Sequence, residues 1–270
     1  MGSQISALEI TPGERSMMNY ETIVYAQKEG LGLITFNRPE QGNALNEQMI
    51  KDVNGALDEA EKDREVRVVV ITGGEKFFCA GADLKEPRQP GSSQRSNGLF
   101  SRVERFEKPT IAAINGYALG GGLEISLCCD FRVAAEDARL GTPEVKVGII
   151  PSGGATLRLP RLIGMARAKE FLLLGESVTG AGALVLGIVN RVSPPGKALN
   201  EAKKLAQILI ERPPLSLKAI KDCVLAGQFM DTDSAIVSII QTADLLRNTE
   251  DYQEGRNAFR EKRSPVWKGR

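Results

Sequence analysis

Short apolar, β-branched runs, closed within a few residues by glycine or polar turn formers, constrain this chain more than any other feature. Residues 24–27 and 31–37 flank the turn Lys28-Glu29-Gly30 and read as paired strands. Residues 67–72 form a β-branched run stopped by Gly73-Gly74, and residues 77–84, which hold Ala80-Gly81-Ala82-Asp83, follow it. Residues 110–114 and 131–135 are further apolar strands. Between the second run and the third, Asn46 is placed to cap a helix whose apolar face is Ile50, Val53, Leu57 and Ala60. Short strands alternating with helices argue an α/β fold. From Ala166 onward the pattern is helical, over residues 166–174, 197–210, 215–226, 231–247 and 251–260, punctuated by Pro194-Pro195 and Pro213-Pro214. The plan is a leader at 1–17, a strand-rich core at 18–195 and a helical C-terminal region at 196–270. No sequence repeat at fixed spacing is visible. Residues 85–98 are polar, rich in Pro, Gly and Ser and without periodicity, so they read as a mobile surface loop.

With 270 residues, 42% hydrophobic and 26% charged, the chain has ordinary globular composition and can bury a sizeable core. A net charge of +1 gives no electrostatic case for nucleic acid or membrane partners, and no apolar run reaches the length of a membrane span. The leader lacks the pattern of a signal peptide, although Met1-Gly2-Ser3-Gln4-Ile5-Ser6 matches the short myristoylation pattern. Cys79, Cys128, Cys129 and Cys223 form no C-x-x-C pair and read as buried thiols in a reducing compartment, so the expected location is cytoplasmic.

The absence of histidine decides more. It removes Ser-His-Asp and Cys-His nucleophile systems and histidine-based metal sites, so no metal site is expected. Proton transfer would fall to carboxylates, Lys, Tyr or Cys. Two acids stand in apolar sequence. Glu124 lies at the head of the helical run 123–129, just after Gly120-Gly121-Gly122, and Glu144 lies in Leu140-Gly141-Thr142-Pro143-Glu144-Val145. A carboxylate buried in such a setting is costly without a partner, and its pKa rises. The bland readings are a helix-start charge for Glu124 and a pair with Lys146 or an arginine for Glu144. The triple glycine offers unpaired helix-start N–H donors that suit an oxyanion, and it equally suits a tight strand-to-helix turn. It is neither a dinucleotide fingerprint nor a P-loop. Asp130 reads as a structural hydrogen-bonding residue, Asp83 as a residue that orders its loop, and Ser152 lacks the elbow pattern of a nucleophile.

Taken together, longer blocks resemble one family. Ala80-Gly81-Ala82-Asp83-Leu84-Lys85 and the run from Lys108-Pro109-Thr110 through Asn115-Gly116-Tyr117 to Gly120-Gly121-Gly122-Leu123-Glu124 are similar to the two signature blocks of the crotonase, or enoyl-CoA hydratase-isomerase, family. Gly141-Thr142-Pro143-Glu144 through Gly148-Ile149-Ile150-Pro151 resembles a third block. Asn37-Arg38-Pro39, Asn43-Ala44-Leu45 and Glu254-Gly255 with Ala258-Phe259-Arg260 fit as well. The resemblance runs from about Tyr20 to Lys268.

It implies a spiral of ββα units with a helical C-terminal region that forms a homotrimer or a dimer of trimers. It implies an acyl-CoA substrate, with coenzyme A arriving as part of the substrate and no permanently bound cofactor. The thioester oxygen would sit between the N–H groups of Ala82 and Gly121. Glu124 would hold and deprotonate the water that adds at C3, and Glu144 would deliver the proton to C2. Ala44, Ala80, Asp83, Leu84, Lys85 and Gly120 would line the thioester and coenzyme A path. Two positions depart from the family pattern: Ser152 stands where a glycine is common, and Thr142 where a glutamine is common. Alternatives inside this reading are an isomerase relying chiefly on Glu144, and a non-catalytic or RNA-binding protein using the basic tail Arg256, Arg260, Lys262, Arg263, Lys268 and Arg270.

Overall fold

The computed structural model describes residues 20–86 and 92–270. The leader at 1–17, with its myristoylation pattern, and residues 87–91 lie outside the described residues. β1 (Ile23–Lys28) and β2 (Leu31–Phe36) pair antiparallel across the expected turn. α1 (Glu47–Lys62) starts at Asn46, whose side-chain oxygen accepts the Met49 N–H at 2.9 Å. Met49, Ile50, Val53, Ala56, Leu57 and Ala60 recur at helical spacing and are buried, so one face of α1 becomes core.

From there the chain coils. β3 (Val68–Thr72), β4 (Phe77–Cys79) and α2 (Ser92–Glu104) make one turn; β5 (Thr110–Ile114), β6 (Tyr117–Leu119) and α3 (Gly121–Cys128) make the next. β7 (Phe131–Ala135) and β8 (Arg139–Gly141) lead through the 3₁₀ turn Pro143–Val147 into α4 (Ala155–Ile163) and α5 (Met165–Leu174). β9 (Ser177–Thr179), α6 (Gly180–Leu186) and β10 (Arg191–Ser193) close the spiral. Six strands form one sheet in the order β1-β2-β3-β5-β7-β10, parallel after the first pair. Four three-residue strands form a second sheet, β4-β6-β8-β9. The α/β expectation holds, and the chain winds in ββα turns.

Every residue of β3 and β5 is buried, as parallel strands covered on both faces require. Val69, Ile71, Ala112 and Ile114 face the main core. Val68, Val70, Ile111 and Ala113 face the opposite side, where α7 (Ala198–Ile210) lays Ala198, Ala202, Leu205 and Ala206 against them. Small residues on α7 let its backbone approach the sheet closely. α8 (Pro214–Gly227), α9 (Thr232–Arg247) and α10 (Glu250–Glu261) follow.

The structure corrects three expectations. The 85–98 segment is not a loop throughout, because α2 begins at Ser92. Its apolar stripe, Leu99, Phe100 and Val103, comes only at the far end of the helix and is invisible within 85–98 itself. The region after Ala166 is not wholly helical, since β9 and β10 interrupt it; each spans only three residues, too few to display a period of two. Finally α3 begins at Gly121, inside the glycine run and not at Leu123, with Glu124 in its first turn.

Candidate active site

Beyond β4 the chain makes a single parallel bridge, Leu45 to Ala82. Leu45 N–H donates to the Gly81 carbonyl at 2.8 Å and Asp83 N–H to the Leu45 carbonyl at 3.0 Å. The Ala82 N–H between them has no acceptor among the described residues. Gly120 adopts φ 51°, a left-handed conformation that glycine takes without strain, and turns the chain into α3. Gly121 is therefore a helix-start residue whose N–H has no intrahelical partner. The two N–H groups are neighbours: a Cβ placed on Gly121 would lie 3.6 Å from the Ala82 nitrogen.

Glu124, on α3, is only 3% exposed. Its Oε1 accepts the N–H of Gly153 at 2.7 Å and that of Ala155 at 3.1 Å, at the beginning of α4. A helix N-terminus holding a carboxylate is favourable in both hydrogen bonding and dipole. Gly153 is required by close approach, because a Cβ there would fall 2.2 Å from the Phe100 ring and 2.6 Å from Glu124 Oε2. Burial raises the pKa of Glu124, against the opposing pull of the Ala155 and Gly153 N–H groups and the Arg158 guanidinium.

Glu144 rides on the 3₁₀ turn Pro143–Val147. Its Oε1 lies against Gly120, 2.9 Å from where a Cβ would be, and its Oε2 is buried without a partner among the described residues. Burial raises its pKa, and the Glu124 charge adds to the shift. Pairing with Lys146 is not what occurs: Lys146 Nζ turns to Glu176 at 2.9 Å. The Thr142 hydroxyl is likewise buried and unpartnered among the described residues. The structure thus gathers Ala82, Gly120, Gly121, Glu124 and Glu144 at one place.

The remaining candidates form a rim. Arg38 donates to the Ala44 carbonyl at 2.6 Å and to Asp83 Oδ2 at 2.9 Å, and Ala80 N–H donates to the Gly42 carbonyl at 2.9 Å. Asp83 also accepts the Lys85 N–H at 3.1 Å, so it orders its loop, and with Arg38 beside it its pKa is lowered despite burial. Leu84 and Lys85 project outward, Leu84 being 75% exposed. Asp130 bonds the Thr110 N–H and hydroxyl and pairs with Lys221, a structural role as read from sequence. A cavity of about 360 Å³ lies elsewhere, between α8 and the end of α3, lined by Leu127, Cys128, Leu217, Ile220 and Val224 among others. It does not contain the paired acids, and the candidate site is marked instead by the convergence of the Ala82 and Gly121 donors with the two carboxylates.

In the sequence Arg38 and Asn43 stand out only as motif residues, and Arg158 and the Gly153 and Ala155 donors do not stand out. Asn43 Oδ1 accepts the Arg38 N–H at 2.8 Å and its Nδ2 donates to the Phe77 carbonyl at 2.9 Å, which fixes Arg38 for its two contacts. The signal for the α4 donors was present in Ser152-Gly153-Gly154 before a helical run, the pattern of an anion-binding helix start.

A family model described as enoyl-CoA hydratase/isomerase matches residues 26–270. The short-chain-enoyl-CoA hydratase of Clostridium acetobutylicum is 40% identical over 248 residues, 89% of this chain and 95% of that protein. The 2,3-dehydroadipyl-CoA hydratase of Escherichia coli is 41% identical over 254 residues, 93% of this chain and 99% of that protein. The crystal structure of an enoyl-CoA hydratase from Bacillus anthracis superposes with a TM-score of 0.90 at 36% identity, covering 93% of this chain and all of that one.

Proposed function

This chain belongs to the enoyl-CoA hydratase/isomerase family, and from that premise we propose that it adds water across the 2,3 double bond of an enoyl-CoA thioester. The observation that carries the reading is the pairing of a buried acid, Glu124, with a half-buried one, Glu144, beside two N–H groups, Ala82 and Gly121, that have no acceptor among the described residues. The thioester oxygen accepts both N–H groups, and they stabilise the negative charge it gains as the double bond is attacked. Glu124 is the member with α4 N–H groups and Arg158 opposing the upward pull of burial; it takes a proton from water as the oxygen bonds to C3. Glu144, whose charge is opposed by burial and by the Glu124 field, gives a proton to C2. The proton taken from water then passes to Glu144 for the next turnover. Coenzyme A enters and leaves with the substrate, and this route requires no resident cofactor. Ala44, Ala80, Asp83, Leu84, Lys85 and Gly120 line the path of the thioester.

Hydration of a panel of enoyl-CoA thioesters by the native protein, Glu124→Gln and Glu144→Gln tests the reading. Each substitution is expected to lower kcat by about 10²–10⁴ with little change in thioester binding, and the double variant to be far less than additively worse. An isomerase needs only one acid: Glu124→Gln would then be nearly silent in double-bond migration and Glu144→Gln inactive. Variants that hydrate every substrate at the native rate would remove the paired-acid mechanism.

A further inference from the structure

Arg158 lies in the second turn of α4, and its contacts converge behind Glu124. Nε and Nη2 engage Glu104 at 2.7 and 2.8 Å, a two-pronged ion pair. Nη1 donates to the Gly153 carbonyl at 2.8 Å. Gly153 is therefore gripped from both ends, its N–H by Glu124 and its carbonyl by Arg158. A Cβ on Gly154 would fall 2.2 Å from Nη1, so the guanidinium fills the space the glycine leaves. Burial opposes a charge on Arg158, but the Glu104 hydrogen bonds and the charges of Glu104 and Glu124 outweigh it and raise its pKa. Glu104 ends α2, and the Phe100 ring of the same helix closes on Gly153 from the other side. The titratable and charged groups facing Glu124 are Arg158 on α4, Glu144 on the 3₁₀ turn and Cys128 on its own helix, with Glu104 behind Arg158.

We propose that Arg158, locked by Glu104, is a positioning residue for Glu124: it fixes the Gly153-Gly154 turn that orients the carboxylate and supplies the positive field that keeps it ready to accept a proton. The kinetic consequence rests on the hydratase reading, whereas the electrostatic one does not. Nuclear magnetic resonance of protein carrying ¹³C-carboxyl glutamate, with the Glu124 signal assigned through Glu124→Gln, gives the Glu124 titration midpoint directly. Removing a positive charge makes a carboxylate harder to form, so Arg158→Gln is expected to raise that midpoint and Arg158→Lys to restore it in large part. In crotonyl-CoA hydration, Arg158→Gln is expected to lower kcat roughly 10- to 100-fold, with KM within about twofold of native. Arg158→Lys recovers only part of kcat, because an ammonium cannot hold Glu104 and Gly153 together as the guanidinium fork does.

In a Glu124→Gln background the same Arg158 changes are expected to shift kcat by less than about twofold, since the group they serve is gone. An unmoved Glu124 midpoint, or an equal kcat loss in both backgrounds, overturns the proposal. If Arg158→Gln does not fold, the lysine variant carries the same comparison: its kcat loss must be present with Glu124 and absent without it. If the native protein hydrates no enoyl-CoA, the hydratase reading fails and the titration midpoint alone decides the role of Arg158.

Discussion

Glu124 and Glu144 have folded pKa values above the 4.5 of a free glutamate, and burial is the main cause for both. Below about pH 4.5 both are protonated in the folded and unfolded chain, and the native fold carries no penalty for them. As pH rises through the interval between the unfolded and folded values, the unfolded chain ionises first and the fold loses stability. Glu144→Gln is therefore expected to gain stability relative to native as pH rises from 4.5 to 8, measured by urea unfolding. A glutamine variant that loses ground over that interval would show that the site prefers the charged form. Gly153 carries a second residue-scale expectation. Alanine there meets the Phe100 ring and Glu124 Oε2, so Gly153→Ala should lower kcat at least about 100-fold by displacing the acid; native kcat would mean that the turn does not orient it. Both acids and both N–H donors were legible in the sequence because they stand inside long motif blocks. Arg158 was not, because a single arginine acquires its meaning from Glu104, which lies 54 positions away and reaches it only after folding.

At the scale of elements, α3 is a short helix finished differently at its two ends. Its start leaves the Gly121 N–H without an acceptor among the described residues, while its end is held by Arg132, which is 5% exposed. Arg132 donates to the Cys129 and Ile188 carbonyls at 2.7 Å and to Ser126 at 3.3 Å. A buried cation at the helix end complements the dipole whose positive end lies at the Gly121 N–H. Arg132→Met removes the guanidinium from the Cys129 and Ile188 carbonyls, while Ser126 keeps the Cys129 N–H, and is expected to cost at least about 2 kcal/mol in urea unfolding; a loss under about 0.5 kcal/mol would show that water replaces the guanidinium. Elements with a cap and a full apolar stripe, such as α1 with Asn46, were legible before folding. β6, β8, β9 and β10 were not, since a three-residue strand is defined by the neighbours it pairs with and not by its own pattern.

At the scale of the whole molecule, α8 and α9 bury no residue among the described residues, yet Ile220, Val224, Val237 and Ile240 are more than half exposed on them. Exposed apolar side chains concentrated on two packed helices are a liability for a lone chain. With the resemblance noted in the sequence, light scattering at micromolar concentration is expected to give the mass of three or six chains, and a fully active monomer would contradict this. The basic tail is a weaker candidate for a nucleic-acid surface. Arg263 pairs with Glu254 and Glu261, while Lys268 and Arg270 pair with Glu250. The long sheet has a further consequence. Each of its strands lies beside the one that precedes it in that sheet, in the order β1-β2-β3-β5-β7-β10. A chain emerging from a ribosome can thus lay the sheet down as it is made, no strand waiting for one not yet synthesised. Glu124 is different: its carboxylate emerges before the Gly153 and Ala155 donors, so a nascent chain must carry it unanchored until translation passes that turn.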